Sequence, residues 1–112
     1  MRDLHVAQQE HFVCFDLNVR HRVIARRTVG IGSICGVEVH PREVFRQAIV
    51  NGAAAVILVH NHPSGDPTPS RQDVDLTARL REVGDLVGIT VLDHVIVAAE
   101  GCWASMAERG WA

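Results

Sequence analysis

The sequence contains no lysine, because all eleven of its basic residues are arginines. This absence excludes a lysine Schiff base and a lysine general base from any mechanism. Cysteine is also scarce: Cys14, Cys35 and Cys102 are odd in number and widely spaced, so the chain offers neither a paired disulfide framework nor a C-x-x-C metal knuckle. We therefore expect reduced thiols that are buried as small apolar side chains.

Long apolar runs are missing as well. The longest, residues 53–59, is far shorter than the run of about 20 residues that crosses a bilayer, and no charged-then-apolar leader opens the chain. This pattern predicts a cytoplasmic protein without a membrane partner. With 112 residues, of which 47% are hydrophobic and 21% charged, the chain suits one compact domain spanning 1–112.

The chain also lacks an excess of basic over acidic residues. The formal net charge is -2 at pH 7, which argues against strong non-specific binding to nucleic acid. The one local exception is a basic cluster around His21, formed by Arg20, Arg22, Arg26 and Arg27. Such a run is typical of a solvated strand face, so nucleic acid is an open partner rather than a predicted one.

The apolar pattern predicts helices that alternate with buried strands. Two strands joined by a hairpin come first, and a continuously apolar run ending at His60 marks the most buried strand. Pro41 and the capping box of Ser70 and Asp73 mark two helix starts. The predicted strands are 10–17, 22–29, 53–59 and 89–97, and the predicted helices are 41–50 and 70–83. This order indicates an α/β fold in which a mixed β-sheet is flanked by helices.

Two histidines stand at the carboxyl end of the most buried strand, where an α/β sheet usually forms its ligand crevice. These are His60 and His62, and residues two apart in an extended chain point the same way, so both imidazoles can converge on one ion. Asp73, in the first turn of the next helix, is a third candidate ligand. Two imidazoles and one carboxylate suit zinc and leave a fourth position for water, which is the pattern of a catalytic site.

A hydrolase built on such a site also needs a group that takes the water proton, a task suited to a carboxylate beside the metal. Glu10 is the first candidate, because it begins the strand expected next to the His60 strand. By spacing alone, Glu38 and Glu43 stay open as alternatives.

Each of these residues also has a plainer interpretation. The histidines could be loop residues bonded to the backbone, Ser70 and Asp73 could only cap a helix, and Glu10 could be a solvated strand end. Taken singly, the plain interpretations are at least as frequent as the functional ones. Together, H-x-H and S-x-x-D across a short rigid loop favour a metal site. His94, beside Asp93, could orient that site from outside, although structural pairing is the commoner role of such a pair.

The strings HNHPSG from His60 and PSRQD ending at Asp73 resemble the H-x-H-x7-S-x2-D signature of the JAMM (JAB/MPN) metallopeptidases, in the form found in bacterial RadC proteins. Further matches are PREV, LDHVIV and AERG elsewhere in the chain, so the similarity covers nearly its whole length. The resemblance implies a mixed sheet between helices, similar to the cytidine deaminase architecture.

Carried over residue by residue, the resemblance implies that His60, His62 and Asp73 are zinc ligands. It implies that Glu10 is the general acid/base and that Ser70 helps to stabilise the oxyanion of a tetrahedral intermediate. The implied activity is that of a zinc-dependent peptidase or isopeptidase, with Zn2+ as cofactor and a peptide or protein as substrate. RadC proteins usually carry an amino-terminal helix-hairpin-helix region, and nothing in this sequence corresponds to it.

Two other functional classes compete with the peptidase. A nucleic-acid-associated accessory protein is suggested by the arginine cluster and by the family name, which refers to a proposed link with DNA repair. A catalytically silent interaction domain ranks last, because the ligand set is intact. HNH nucleases spread their motif over a longer ββα unit, and zinc deaminases need H-x-E followed by P-C-x-x-C, so both of these classes are excluded.

Overall fold

The computed structural model describes residues 9–32 and 39–111, except for the side chain of Ile31. The chain forms, in order, β1 (Glu10–Leu17), β2 (Val23–Gly32), α1 (Pro41–Val50), β3 (Ala55–His62), α2 (Arg71–Val87), β4 (Thr90–Ala98), a turn of 3-10 helix (Ala99–Gly101) and β5 (Trp103–Ser105). Cys35 and Glu38, singled out from the sequence, lie outside the described residues.

The strands form one mixed sheet in the order β2-β1-β3-β4-β5. β1 pairs antiparallel with both β2 and β3, β3 pairs parallel with β4, and β4 pairs antiparallel with β5. A parallel pair requires a crossover connection, which α2 supplies. The predicted α/β fold with a mixed sheet and packed helices is confirmed.

The main apolar core lies between one face of the sheet and the two helices. Its buried members include Val44, Phe45 and Ala48 of α1, Leu80 of α2, and Phe12, Cys14, Val56 and Leu58 of the sheet. Because successive strand residues point to opposite faces, the alternate positions form a second apolar cluster on the other face. That cluster contains the buried residues Val13, Val59 and Val97. β1 is therefore apolar on both faces and lies inside the sheet, as its sequence predicts.

The prediction that the third strand ends at His60 is wrong, because β3 continues to His62. Parallel pairing with β4 extends to the pair His62↔Ala98, so the backbone keeps a sheet partner beyond the apolar run. β2 also runs further than predicted, to Gly32, where it pairs with Glu10 of β1. Both histidines therefore stand inside a strand rather than in the loop that follows it.

Helix α2 runs to Val87 instead of the predicted 83. Its last turn is exposed, with Leu86 81% accessible, so no apolar periodicity marks its end in the sequence. The helix ends at Gly88, which has a left-handed φ of 78°. Its buried residues are Asp73, Thr77, Leu80 and Gly84. Neither helix in the described ranges combines the length and the hydropathy needed to cross a bilayer.

A buried ion pair ties β1, β2 and α1 together. Asp16 accepts two hydrogen bonds of 2.7 Å from Arg27, which also donates to the main-chain oxygen of Val44 at 2.9 Å. The amide of Asn51 donates to the same carboxylate at 2.8 Å. Burial opposes the charged form, but Arg27 and Asn51 together hold the pKa of Asp16 below its usual range.

Within the predicted arginine cluster, Arg27 therefore has a structural role. The other arginines of the predicted cluster, Arg20, Arg22 and Arg26, have exposed side chains.

The cysteine prediction is right for one described residue and wrong for the other. Cys14 is buried, whereas Cys102 is exposed at the turn before β5. Burial raises the pKa of Cys14 to about 12, so this thiol stays protonated at neutral pH.

Candidate metal centre

The candidate metal centre forms where the start of β1 lies beside the end of β3. The two strands are antiparallel, so Glu10, at the first position of β1, lies near the last residues of β3. His60 and His62 are two residues apart on β3 and lie on the same side of the strand. Their ring centroids are 4.9 Å apart and the rings are perpendicular. The predicted convergence of these imidazoles is present.

Glu10 contacts His60 directly. Its Oε1 lies 2.8 Å from Nε2 of His60, and the two side chains are 15% and 6% exposed. Of the alternative glutamates, Glu43 is half-exposed on α1, where it lies 3.5 Å from Arg42. Of the two of these three glutamates that the structure describes, Glu10 is therefore the one beside the histidines.

Asp73 reaches both imidazoles from the first turn of α2. Its Oδ2 lies 3.0 Å from Nε2 of His62 and its Oδ1 lies 3.3 Å from Nδ1 of His60. The first contact is a hydrogen bond. The second is not one by its geometry, so the buried Nδ1 of His60 has no hydrogen-bond partner among the described residues. Such a buried and unbonded nitrogen is a group that a cation would satisfy.

Electrostatics at the centre favour a positive charge. Burial alone would raise the pKa of Asp73, but its contacts with His60 and His62 and the Ser70 main-chain N–H lower it well below the usual range. The Asp73 carboxylate in turn raises the pKa of His62, although burial opposes this shift. The carboxylate is thus ionised at neutral pH and stabilises positive charge beside it.

Ser70 and Asp73 form the predicted capping box. The Ser70 hydroxyl accepts from the Asp73 N–H at 3.1 Å, and the Ser70 N–H donates to Oδ2 of Asp73 at 2.8 Å. Ser70 itself is exposed. Among the described residues its hydroxyl makes no hydrogen bond to Glu10 or to either histidine, so both the backbone and the hydroxyl of Ser70 contact the cluster through Asp73 alone.

The loop after β3 fixes the ring of His62. Nδ1 of this ring lies 2.9 Å from the main-chain oxygen of Asp66. A carbonyl oxygen only accepts, so Nδ1 carries a proton and Nε2 is the nitrogen that faces Asp73. The loop therefore sets both the ring orientation and the tautomer of the neutral form.

The donor atoms of the centre are close enough to share an ion. One atom each from Glu10, His60 and His62 lies within 4.8 Å of the others, and these residues form a group that could hold a metal ion. Asp73 contacts both histidines of this group. The mixture of imidazole nitrogen and carboxylate oxygen is the donor chemistry that zinc takes in proteins.

Comparison with known proteins identifies the domain. A family model described as the RadC-like JAB domain matches residues 1–111. The chain belongs to the RadC family. The predicted membership of the RadC family is thereby confirmed.

Curated RadC-family relatives agree over the same range. The UPF0758 protein of Geobacillus thermodenitrificans (strain NG80-2) is 53% identical over 111 residues, which cover 99% of this chain and 49% of that protein. The UPF0758 protein YsxA of Bacillus subtilis (strain 168) is 51% identical over 111 residues, covering 99% and 48%. The chain thus spans about half the length of the curated relatives it matches.

Two buried polar residues of this RadC-like domain escape sequence reasoning. Asn61, between the histidines, is 1% exposed, and its side-chain amide bonds to the backbone of β1 and of the residue before it. Thr77, one helical turn after Asp73, is 1% exposed and its hydroxyl lies 2.5 Å from Nδ1 of His94. The only signal for Thr77 in the sequence is its spacing of four residues from Asp73.

His94 lies behind the cluster, and its Asp93 neighbour does not orient it. The His94 ring is fully buried, with its centroid 5.8 Å from that of His60. Asp93 instead accepts from the His94 main-chain N–H and from the Ser105 hydroxyl. Burial lowers the pKa of His94 to about 3, so this ring is neutral and packs against the centre without adding charge.

Proposed function

We propose that this chain is a zinc-dependent hydrolase that cleaves an amide bond in a peptide or protein substrate. The observation that supports this most is the meeting of Glu10, His60, His62 and Asp73 in one cluster whose side chains are each at most 15% exposed. We assign His60, His62 and Asp73 as ligands, and Glu10 as the residue that carries protons.

The donor set suits zinc. Two imidazoles and one carboxylate leave one coordination position open, as in catalytic zinc sites. His62 is bonded through Nδ1 to a backbone carbonyl, an arrangement that ligating histidines commonly have. When bound, zinc lowers the pKa of a water molecule in the open position to about 7 and so supplies a nucleophile at neutral pH.

Glu10 handles the proton in this proposal. Its carboxylate takes the proton that the attacking water gives up and passes it to the leaving amine. This transfer requires the carboxylate to lie at the edge of the cluster. Glu10 lies at such an edge, because it contacts His60 at 2.8 Å while its side chain is still 15% exposed. Solvent and substrate can therefore reach it.

We assign Ser70, the N-cap residue of α2, a supporting role in the reaction. Its oxygen accepts from the Asp73 N–H, so the hydroxyl proton is left to be donated. We assign this proton to the oxyanion that develops on the substrate carbonyl. This assignment follows the family motif, since among the described residues the Ser70 hydroxyl bonds to the main-chain N–H of Asp73 and not to Glu10 or to either histidine.

Two variants separate the roles of the carboxylates, because Glu10 is also close enough to be a ligand. Elemental analysis of protein purified without chelators should find about one zinc ion per chain in the wild type and in Glu10→Gln, and far less in Asp73→Asn. Quenched fluorogenic peptides and lysine-linked isopeptides then report hydrolysis. Glu10→Gln should abolish turnover, and the matched control Glu43→Gln, an exposed glutamate of α1, should retain it.

Loss of zinc from Glu10→Gln, with zinc retained by Asp73→Asn, would reverse the two assignments. Wild-type protein without any zinc would refute the hydrolase proposal as a whole.

A second candidate function is nucleic-acid binding near the turn between β1 and β2. Arg20 and Arg22 are exposed there, although Arg27 is occupied by its ion pair with Asp16. Electrophoretic mobility shifts at low and moderate salt test this candidate, since contacts of arginine with phosphate weaken steeply as salt increases. Absence of any shift at low salt would exclude it.

A further inference from the structure

The two central strands separate at the metal centre. β1 and β3 are paired from Leu17↔Ala55 to Phe12↔His60, and their ladder ends there. On its other side β1 stays paired with β2 as far as Glu10↔Gly32. β3 likewise stays paired with β4 to its last residue. The opening therefore affects only the pair of strands that carries Glu10 and the histidines.

The side chain of Asn61 bridges this opening. Its Oδ1 accepts from the main-chain N–H of His11 at 2.5 Å, and its Nδ2 donates to the main-chain oxygen of Gln9 at 2.8 Å. A side-chain amide offers the same donor and acceptor as a peptide group, so it replaces the ladder bonds that the separated backbones no longer make. The two bonded residues, Gln9 and His11, are the sequence neighbours of Glu10.

Asn61 is not placed as a ligand. Successive strand residues point to opposite faces, so its side chain leaves β3 on the face opposite to His60 and His62. Asn61 is 1% exposed, and its amide uses the oxygen on His11 of β1 and the nitrogen on Gln9, the residue before β1. A buried amide that is satisfied in this way holds one geometry, because any shift leaves polar groups without partners.

We propose that Asn61 is a positioning residue that holds the backbone on both sides of Glu10, and thereby sets the distance of its carboxylate from the histidines. This inference rests on the proposed function, in which Glu10 carries protons beside a metal held by His60 and His62. The width of the opening between β1 and β3 is then fixed by one side chain rather than by the strand ladder.

Amide hydrogen exchange tests the clamp without any substrate. Asn61→Ala removes both bonds, so exchange of the His11 amide should become about tenfold faster. Exchange at Cys14, inside the paired part of β1, should change little. Asn61→Asp keeps an acceptor for the His11 N–H but loses the donor to Gln9, so the His11 amide should stay protected from exchange. If Asn61→Ala does not fold, this variant still tests the bond to His11.

Metal content and kinetics test the positioning role. Asn61→Ala should keep zinc at the wild-type level, because no ligand is changed. Its kcat for the peptide probe should fall about 100-fold at unchanged KM, since a displacement near 1 Å can cost this much. The control is Asn51→Ala, which removes another amide from a buried carboxylate, that of Asp16. This control should lower the midpoint temperature of thermal unfolding, yet leave kcat and the hydrogen exchange of the His11 amide unchanged.

The possible outcomes are distinct. Unchanged His11 exchange in Asn61→Ala, or an equal loss of kcat in Asn51→Ala, would overturn the clamp. Loss of zinc from Asn61→Ala would also overturn it, because the residue would then support the ligands and not Glu10. If the wild type holds no zinc and hydrolyses nothing, the proposed function fails, while the exchange at His11 still decides whether Asn61 holds β1.

Discussion

Thr77 donates its hydroxyl proton to the main-chain oxygen of Asp73, with the two oxygen atoms 2.6 Å apart. A hydroxyl has one proton, so the contact of Thr77 with Nδ1 of His94 at 2.5 Å must use a proton of the ring. The first turn of α2, which carries Asp73, is therefore connected to β4 through a neutral His94 protonated on Nδ1.

Replacing Thr77 by valine keeps the shape of the side chain and removes the hydroxyl. His94 Nε2 already lacks a partner among the described residues, and the variant would leave Nδ1 unpaired as well. We expect a loss of about 1–3 kcal/mol in the free energy of unfolding, measured by urea denaturation. Thr28→Val, at an exposed position of β2, is the control, and an equal effect in both variants would contradict the connection.

Ser70 has two separable roles, as helix cap and as proposed proton donor. Ser70→Ala should lower the free energy of unfolding by about 1 kcal/mol, because Asp73 loses its capping partner. Ser70→Asn should restore that stability, since asparagine caps as well as serine does. Turnover should stay low in both variants. Full turnover in Ser70→Ala would leave Ser70 with the capping role only.

The ion pair of Asp16 and Arg27 makes stability depend on pH. The pKa of Asp16 is lowered in the folded state, so its contribution is fully present above the unfolded value of 3.8 and is lost as pH falls through the lower folded pKa. The difference in unfolding free energy between wild type and Asp16→Asn should therefore be large at pH 7 and shrink progressively below pH ~4.

Urea denaturation at a series of pH values measures this difference. Asp75→Asn, an exposed carboxyl of α2, should leave the stability nearly unchanged at each pH. A difference between wild type and Asp16→Asn that does not change with pH would show that the carboxylate charge is not what stabilises this corner of the fold.

Gly84 is required by close packing and not by a special backbone angle. A Cβ at this position would lie 2.4 Å from the main-chain oxygen of Ile89 and 3.3 Å from the ring of Phe45. Gly84→Ala should therefore destabilise the protein by about 1–3 kcal/mol, even though alanine is the better helix former. Thermal unfolding measures this loss, and Asp85→Ala, at the exposed neighbouring position, should show none of it.

The sequence predicts the parts of the centre that depend on local patterns. The alternation of a strand brings His60 and His62 to one side, and the capping box brings Asp73 to the first turn of α2. Glu10 follows from the adjacency of β1 and β3 together with the family motif. These features need only the periodicity of single elements and one strand pairing.

Other features depend on how distant segments meet, and local patterns do not encode this. The proposed role of Asn61 requires knowing that the ladder between β1 and β3 stops at Phe12. It also depends on the bond between Asn61 and the main-chain N–H of His11, which lies 50 positions away in the chain. The extension of β3 to His62 comes from pairing with β4, so polar residues continue a strand whose apolar signal has ended. Long-range pairing decides both cases.

The distances along the sequence between the residues of the centre determine the order in which it assembles. His62 and Asp73 are 11 positions apart, whereas Glu10 and His60 are 50 apart. Closing a short loop costs less entropy than closing a long one, and strand pairing over long distances is slow. If His60, His62 and Asp73 hold the metal as proposed, a refolding chain should regain metal binding before Glu10 joins the centre, so that metal uptake returns earlier than the proposed turnover.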